Sequence, residues 1–155
     1  MERITLKSLC AALLLLGAGA GQITAQPILR LPSIIGDHMV LQENSNVKIW
    51  GWAEPNKEVL IIPSWSQDTV RTKSTGDTKW LASIQTPAAD NRTYTLTVQT
   101  QQRKIEVKDI LVGQVWLCGG QSNMNYSAAQ GITDMQEELE KPMNPSIRLF
   151  TVTRN

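Results

Sequence analysis

Cysteine and histidine are almost missing from this 155-residue chain, which holds two of the first and one of the second. A single histidine leaves no multi-histidine metal centre, and no group of His, Cys, Asp and Glu has metal-ligand spacing, so neither metal nor cofactor is expected. Cys10 lies in an amino-terminal apolar stretch that is expected to be removed, which leaves Cys118 alone and allows no intrachain disulfide. The fold must then be held by its core. Cys118 ends an apolar run, where a buried small hydrophobe is the default reading. A nucleophilic thiol needs a histidine partner, and His38 lies far upstream.

Excess charge is missing as well. Without Glu2, Arg3 and Lys7, the 15 basic and 14 acidic residues balance. With no basic run there is no electrostatic reason to expect nucleic acid or anionic lipid as a partner. The most basic stretch, residues 103–108, alternates with apolar residues and includes Glu106, so it reads as the wet face of a strand. Long apolar runs are confined to residues 9–20, behind Arg3 and Lys7 and ahead of Gly21-Gln22-Ile23-Thr24-Ala25. That order predicts a secretory leader, residues 1–25, cleaved after Ala25. A membrane anchor needs roughly 20 strongly apolar residues, and Gly17, Gly19 and Gly21 dilute this shorter stretch. The processed chain is therefore expected in the periplasm or outside the cell, with no membrane attachment after cleavage. There is no internal repeat and no low-complexity tract. The sequons at Asn91 and Asn125 matter only in a eukaryotic secretory pathway, and the second lies beside Ser122, where a glycan would obstruct a site, which favours a bacterial origin.

What is present is a period of two. Across residues 46–53, Val47 and Ile49 share one face while Lys48, Trp50 and Trp52 share the other. The turn pair Pro55-Asn56 and the run 58–62 are expected to close a hairpin. Residues 79–85 and 93–99 read as further half-buried strands, so residues 26–108 are predicted to form an antiparallel β-sandwich. The pattern changes at Asp109. Residues 110–112 and 115–118 form a nearly continuous apolar run of the kind covered on both faces in an α/β sheet. Thr133 to Gln136 has the form of a capping box, Ile132, Met135 and Leu139 share a helical face, Pro142 and Pro145 stop the helix, and residues 147–152 read as a strand. Residues 109–155 are thus expected to form the first β-α-β unit of an α/β domain. Two strands with bare edges are marginal in water, so the unit reads as the start of a truncated domain.

Between the expected strand and helix stands Gly119-Gly120-Gln121-Ser122-Asn123-Met124. A serine hydroxyl becomes a nucleophile when a base takes its proton and donors stabilise the oxyanion. Two glycines permit a sharp turn at a strand's carboxyl end, and a helix start supplies N–H groups. The stretch is not the G-x-S-x-G elbow, because Met124 stands two positions after Ser122. On local chemistry alone, a serine that caps the following helix is the commoner case.

The stretch 115–124 resembles the first motif block of the sialate O-acetylesterases, a family of the SGNH hydrolase superfamily. Gly36-Asp37-His38-Met39-Val40-Leu41-Gln42 resembles that family's amino-terminal β domain, and residues 144–152 resemble the strand after its first helix. The three matches occur in the family's order. The resemblance implies an SGNH, flavodoxin-like α/β domain and an esterase that removes acetyl groups from sialic acid hydroxyls through an acetyl-enzyme. Ser122 matches the nucleophile and one backbone oxyanion donor, with Gly120, Gln121 and Asn123 shaping the loop. The family's base lies in an Asp-x-x-His, which these residues do not contain: Asp134 is followed three positions later by Glu137, and His38 reads as a structural hairpin residue. The chain is expected to hold the nucleophile without its base. Two alternatives stand beside this reading. One is an acetylesterase for xylan or another sugar, because the leaving acetyl group makes the same demand on Ser122. The other is a non-catalytic carbohydrate-binding β-sandwich using Trp50, Trp52, Trp65 or Trp80, although core packing is the more usual role for tryptophans in a small β domain.

Overall fold

Alternation of apolar and polar residues gives each strand one face to bury, and the strands sort into two sheets that do so against a common core. A computed structural model describes residues 28–120 and 135–152. Strands β1 (Leu29–Arg30), β3 (Asn46–Ala53) and β6 (Lys79–Gln85) form a three-stranded sheet in the order β1-β3-β6. Strands β2 (Val40–Gln42), β8 (Lys104–Gly113), β7 (Tyr94–Gln99), β4 (Glu58–Pro63) and β5 (Val70–Lys73) form a five-stranded sheet in that order. One short helix, α1, spans Met135–Leu139. Ile49, Ala53, Trp80, Ala82 and Ile84 from the small sheet join Val59, Ile61, Leu96, Val98, Val107 and Ile110 from the large one in a single buried cluster.

Three buried polar side chains fasten the connections between strands. The Ser74 hydroxyl accepts from Lys57 N and donates to the Glu54 carbonyl, closing the turn that carries Asn56 in the left-handed region. Thr86 accepts from Ser45 N and donates to the Gln42 carbonyl, tying the end of β6 to the start of β3. Thr100 accepts from Arg103 N and holds the β7–β8 turn. The outer edge of β6 is covered rather than bare: Thr72 of β5 donates to the Leu81 carbonyl and the Trp65 indole donates to the Gln85 carbonyl, each at 2.9 Å. Those carbonyls would otherwise invite pairing with another chain.

The strands predicted at 46–53 and 79–85 form as β3 and β6. Four expectations need correction. Residues 46–62 do not make a hairpin, because β3 pairs with β1 and β6 while β4 pairs with β5 and β7. Ile49 and Val59 are both buried, and placing β3 and β4 in different sheets lets both meet one core. The strands are not all antiparallel, since β2 lies parallel to β8 with Val40 opposite Leu111 and Gln42 opposite Gly113. The boundary at Asp109 falls inside β8, so residues 110–113 complete the large sheet instead of opening a new one. Finally, residues 114–120 and 147–152 have no strand structure, and Trp116, Leu117 and Leu149 are almost fully exposed. A strand covered on both faces needs flanking layers, and the described residues bring none to these segments. The helix predicted after Ser122 is present at Met135–Leu139, while the capping residues Thr133 and Asp134 lie outside the described residues.

Candidate functional site

The segment that leads to Ser122 leaves the large sheet at Gly113, and the Gly36–Gln42 stretch fixes that exit. Glu43 N donates to the Gly113 carbonyl at 2.8 Å, and Val115 N donates to the Gln42 side-chain oxygen at 2.9 Å. Upstream, His38 N donates to the Lys108 carbonyl, Leu111 N donates to the Met39 carbonyl, and Lys108 N donates to the Asp37 carboxylate at 2.7 Å. One sequence block therefore orients the next.

Asp109 sits where these contacts meet. Tyr94 pairs with Ile110 and Leu96 with Val107, so Lys108 and Asp109 together face the single residue Thr95, a bulge in β8. Asp109 has φ 53° and His38 has φ 66°, a left-handed backbone that few residue types other than glycine tolerate as well as Asp, Asn and His. The Asp109 carboxylate accepts from His38 Nδ1 at 2.5 Å and from Arg148 Nη2 at 2.9 Å. Arg148 also donates through Nη1 to the Asp109 carbonyl and, at 3.5 Å, to the Met39 carbonyl. The His38 hydrogen bond, followed by that of Arg148, holds the Asp109 carboxyl below the usual aspartate range, against a smaller opposing push from burial. Arg148 is the inner member, with its side chain 18% exposed against 74% for His38. The cluster can orient and hold, and it joins His38 and Met39 of the first block and Arg148 of the third to β8, the strand that leads into the second.

Gly120 is described and exposed, and a Cβ built on its neighbour Gly119 would meet nothing within 4 Å. Gln121, Ser122 and Asn123 lie outside the described residues. Cys118 is exposed, which corrects its reading as a buried hydrophobe; among the described residues no layer covers 114–120. His38 precedes a strand that pairs in parallel, so it is a loop anchor and not a hairpin residue. Of the tryptophans, Trp80 is buried, Trp65 is half-buried edge-on to Tyr94, and Trp50 and Trp52 occupy the outer face of the small sheet. Sequence reasoning missed Asp109 and Arg148 as partners. The available signal was an ionisable residue interrupting each of two apolar stretches. Among the described residues no three His, Cys, Asp or Glu side chains group as a metal site, and no helix is long and apolar enough to cross a membrane.

No protein-family model matches the chain. The sialate O-acetylesterase of Mus musculus is 31% identical over 133 residues, 80% of this chain and 24% of the mouse protein. That of Rattus norvegicus is 30% identical over 146 residues, 88% of this chain and 26% of the rat protein. Among solved structures, a carbohydrate acetylesterase from Xanthomonas citri superposes with a TM-score of 0.67 at 30% identity, covering 77% of this chain and 26% of that one. The chain thus spans about a quarter of the length of the curated relatives it matches. It shares its fold with part of a carbohydrate acetylesterase. More narrowly, it is related by sequence to the sialate O-acetylesterase family.

Proposed function

We propose that the chain is the nucleophile-bearing part of a carbohydrate acetylesterase. Ser122 attacks the carbonyl carbon of a sugar O-acetyl group and gives its proton to a base. The ester C–O bond then breaks to release the sugar hydroxyl, and water cleaves the acetyl-enzyme to acetate. The Ser122 N–H steadies the oxyanion, and Gly120, Gln121 and Asn123 shape the loop. In this reading the α/β layer begins after β8, at the segment that Gln42 and Glu43 aim away from the sheet. The substrate class is an acetylated sugar, with an O-acetylated sialic acid favoured by the relatives' name and xylan or another glycan as the alternative. The observation that carries the reading is that three blocks resembling one esterase family in one order are held together, the first and third at Asp109 and the first to the start of the second through Gln42 and Val115.

The one histidine, His38, is engaged by Asp109, and the 155 residues contain no Asp-x-x-His. Loss of a triad base costs about four to six orders of magnitude in rate, so these residues alone are expected to turn over esters poorly. Activation of the hydroxyl is the sharper test. The oxyanion donors alone should leave a slow reaction with a fluorophosphonate that still exceeds the background of Ser122→Ala; equally slow labelling of the two would remove Ser122 from the role. We also read residues 1–25 as a leader that sends the chain to the periplasm or beyond. Mass spectrometry of protein from the periplasmic fraction should show an amino terminus at Gln26, and recovery of intact Met1 with the membranes would favour an anchor instead.

A further inference from the structure

Alternation along β3 and β6 builds an outer face that the esterase chemistry leaves unused. Lys48, Trp50 and Trp52 point outward from β3 and Lys79, Leu81 and Ser83 from β6, with Trp50 opposite Leu81 and Trp52 opposite Lys79. Arg30 of β1 lies opposite Trp52 and places its guanidinium 5.2 Å from the indole centre. Between these rows and β5 lies an open groove of about 660 Å³, walled by Trp50, Trp52, Leu81, Lys79, Thr72 and Lys73. That volume falls within the roughly 300–1,000 Å³ of small-ligand clefts. Gly51 contributes backbone to its lining.

Charge decides what would fit. The outward positions of β1, β3 and β6 carry Arg30, Lys48 and Lys79 and no carboxylate, and Lys73 adds a fourth cation at the rim. Lys48, Lys73 and Lys79 form no salt bridge among the described residues, whereas Lys104 and Lys108 on the large sheet both pair with Glu106. Trp50, 39% exposed, offers an indole to solvent beside these cations. An aromatic ring takes the C–H face of a sugar, threonine hydroxyls and lysine ammoniums take its hydroxyl groups, and unpaired lysines take a carboxylate. A protein partner with an apolar face would instead strand the lysines without counter-charge.

We infer that the groove on the outer face of the three-stranded sheet binds an acidic carbohydrate, a sugar ring stacked on Trp50 with its carboxylate held by Lys73 and Lys79. The site is independent of Ser122. The test titrates the full chain with a glucuronate-containing tetrasaccharide and with the same tetrasaccharide after carboxyl reduction, following tryptophan fluorescence and calorimetry. The acidic sugar should saturate, the reduced one should bind at least about tenfold more weakly, and added salt should weaken the first. Trp50→Ala and the double variant Lys73→Gln/Lys79→Gln should each weaken binding about tenfold at an unchanged melting temperature, while Ser122→Ala binds as the parent does. The lysine variants keep the test valid if Trp50→Ala fails to fold, because both side chains are exposed and form no salt bridge among the described residues. Absence of saturation, equal binding of the reduced sugar, or undiminished binding by the variants would each overturn the inference. So would sedimentation showing a dimer that Trp50→Ala dissociates, since the face would then belong to a second copy.

Discussion

Gly51→Ala is expected to destabilise the chain by about 1–3 kcal/mol, a large cost for one methyl group. Gly51 is buried in β3 opposite Trp80, and a Cβ there would stand 2.3 Å from the Arg30 carbonyl oxygen and 2.9 Å from Trp80 Cζ2. The nearer atom belongs to the backbone of β1, so no change of rotamer relieves the clash. β1 must move off β3, and β1 has two residues with which to hold its place. In a domain of this size, 1 kcal/mol corresponds to about 4–8 °C in melting temperature. Gly76→Ala is the matched control, since a Cβ there meets nothing within 4 Å and the change should stay within about 0.5 kcal/mol. Urea unfolding followed by tryptophan fluorescence measures both. A Gly51→Ala midpoint equal to that of the control would show that β1 yields freely and does not contribute to the fold.

The sequence made the strands legible because period two survives in any strand that buries one face. Lys79 to Gln85 alternates without a break, and its even-numbered residues are the buried ones in β6. Partner choice was not legible. Pro55-Asn56 has the composition of a hairpin turn, yet it carries the chain from one sheet to the other, because turn residues fix local φ and ψ and not the sheet a following strand joins. The run after Asp109 misled for a related reason. Ile110 to Val112 is apolar because β8 lies inside a five-stranded sheet, between β2 and β7, and a central strand of either fold class reads alike. In the sequence Asp109 reads as a boundary, whereas an Asp at positive φ marks a bulge; both interrupt apolar periodicity in the same way. Of the site, the order of the three blocks was legible, and the meeting of the first and third at one carboxylate was not. Spacings of 71 residues between His38 and Asp109 and 39 between Asp109 and Arg148 leave no local signal.

Asp109→Asn should flatten the acid side of the stability curve. The folded-state carboxyl is held below its ordinary value, so the charged form is the one the fold favours. Its contribution is therefore complete above the unfolded value of about 3.9 and is lost as pH falls through the lower folded value. Asparagine tolerates the left-handed backbone and can still accept from Arg148, so the substitution removes the titration while leaving the bulge intact. Urea midpoints should be lower than the parent's at pH 7 and should converge on it toward pH 2. The groups around Asp109 are the His38 ring, the Arg148 guanidinium and the Asp37 carboxylate bonded to Lys108 N. Asp90 shifts in the same direction for a separate reason, chiefly the hydrogen bond from the Tyr94 hydroxyl and then those from Arg92. Asp90→Asn should consequently flatten the acid limb as well, and the two effects should add because no residue is shared. Parallel curves for parent and Asp109→Asn would show that the cluster does not couple to folding. Arg148→Met tests its other function, because Arg148 carries two backbone carbonyls as well as the carboxylate. In that variant hydrogen exchange should quicken at His38 N and Leu111 N, the amides that join the first block to β8. Unchanged protection there would mean that the first block and β8 hold each other without the third block.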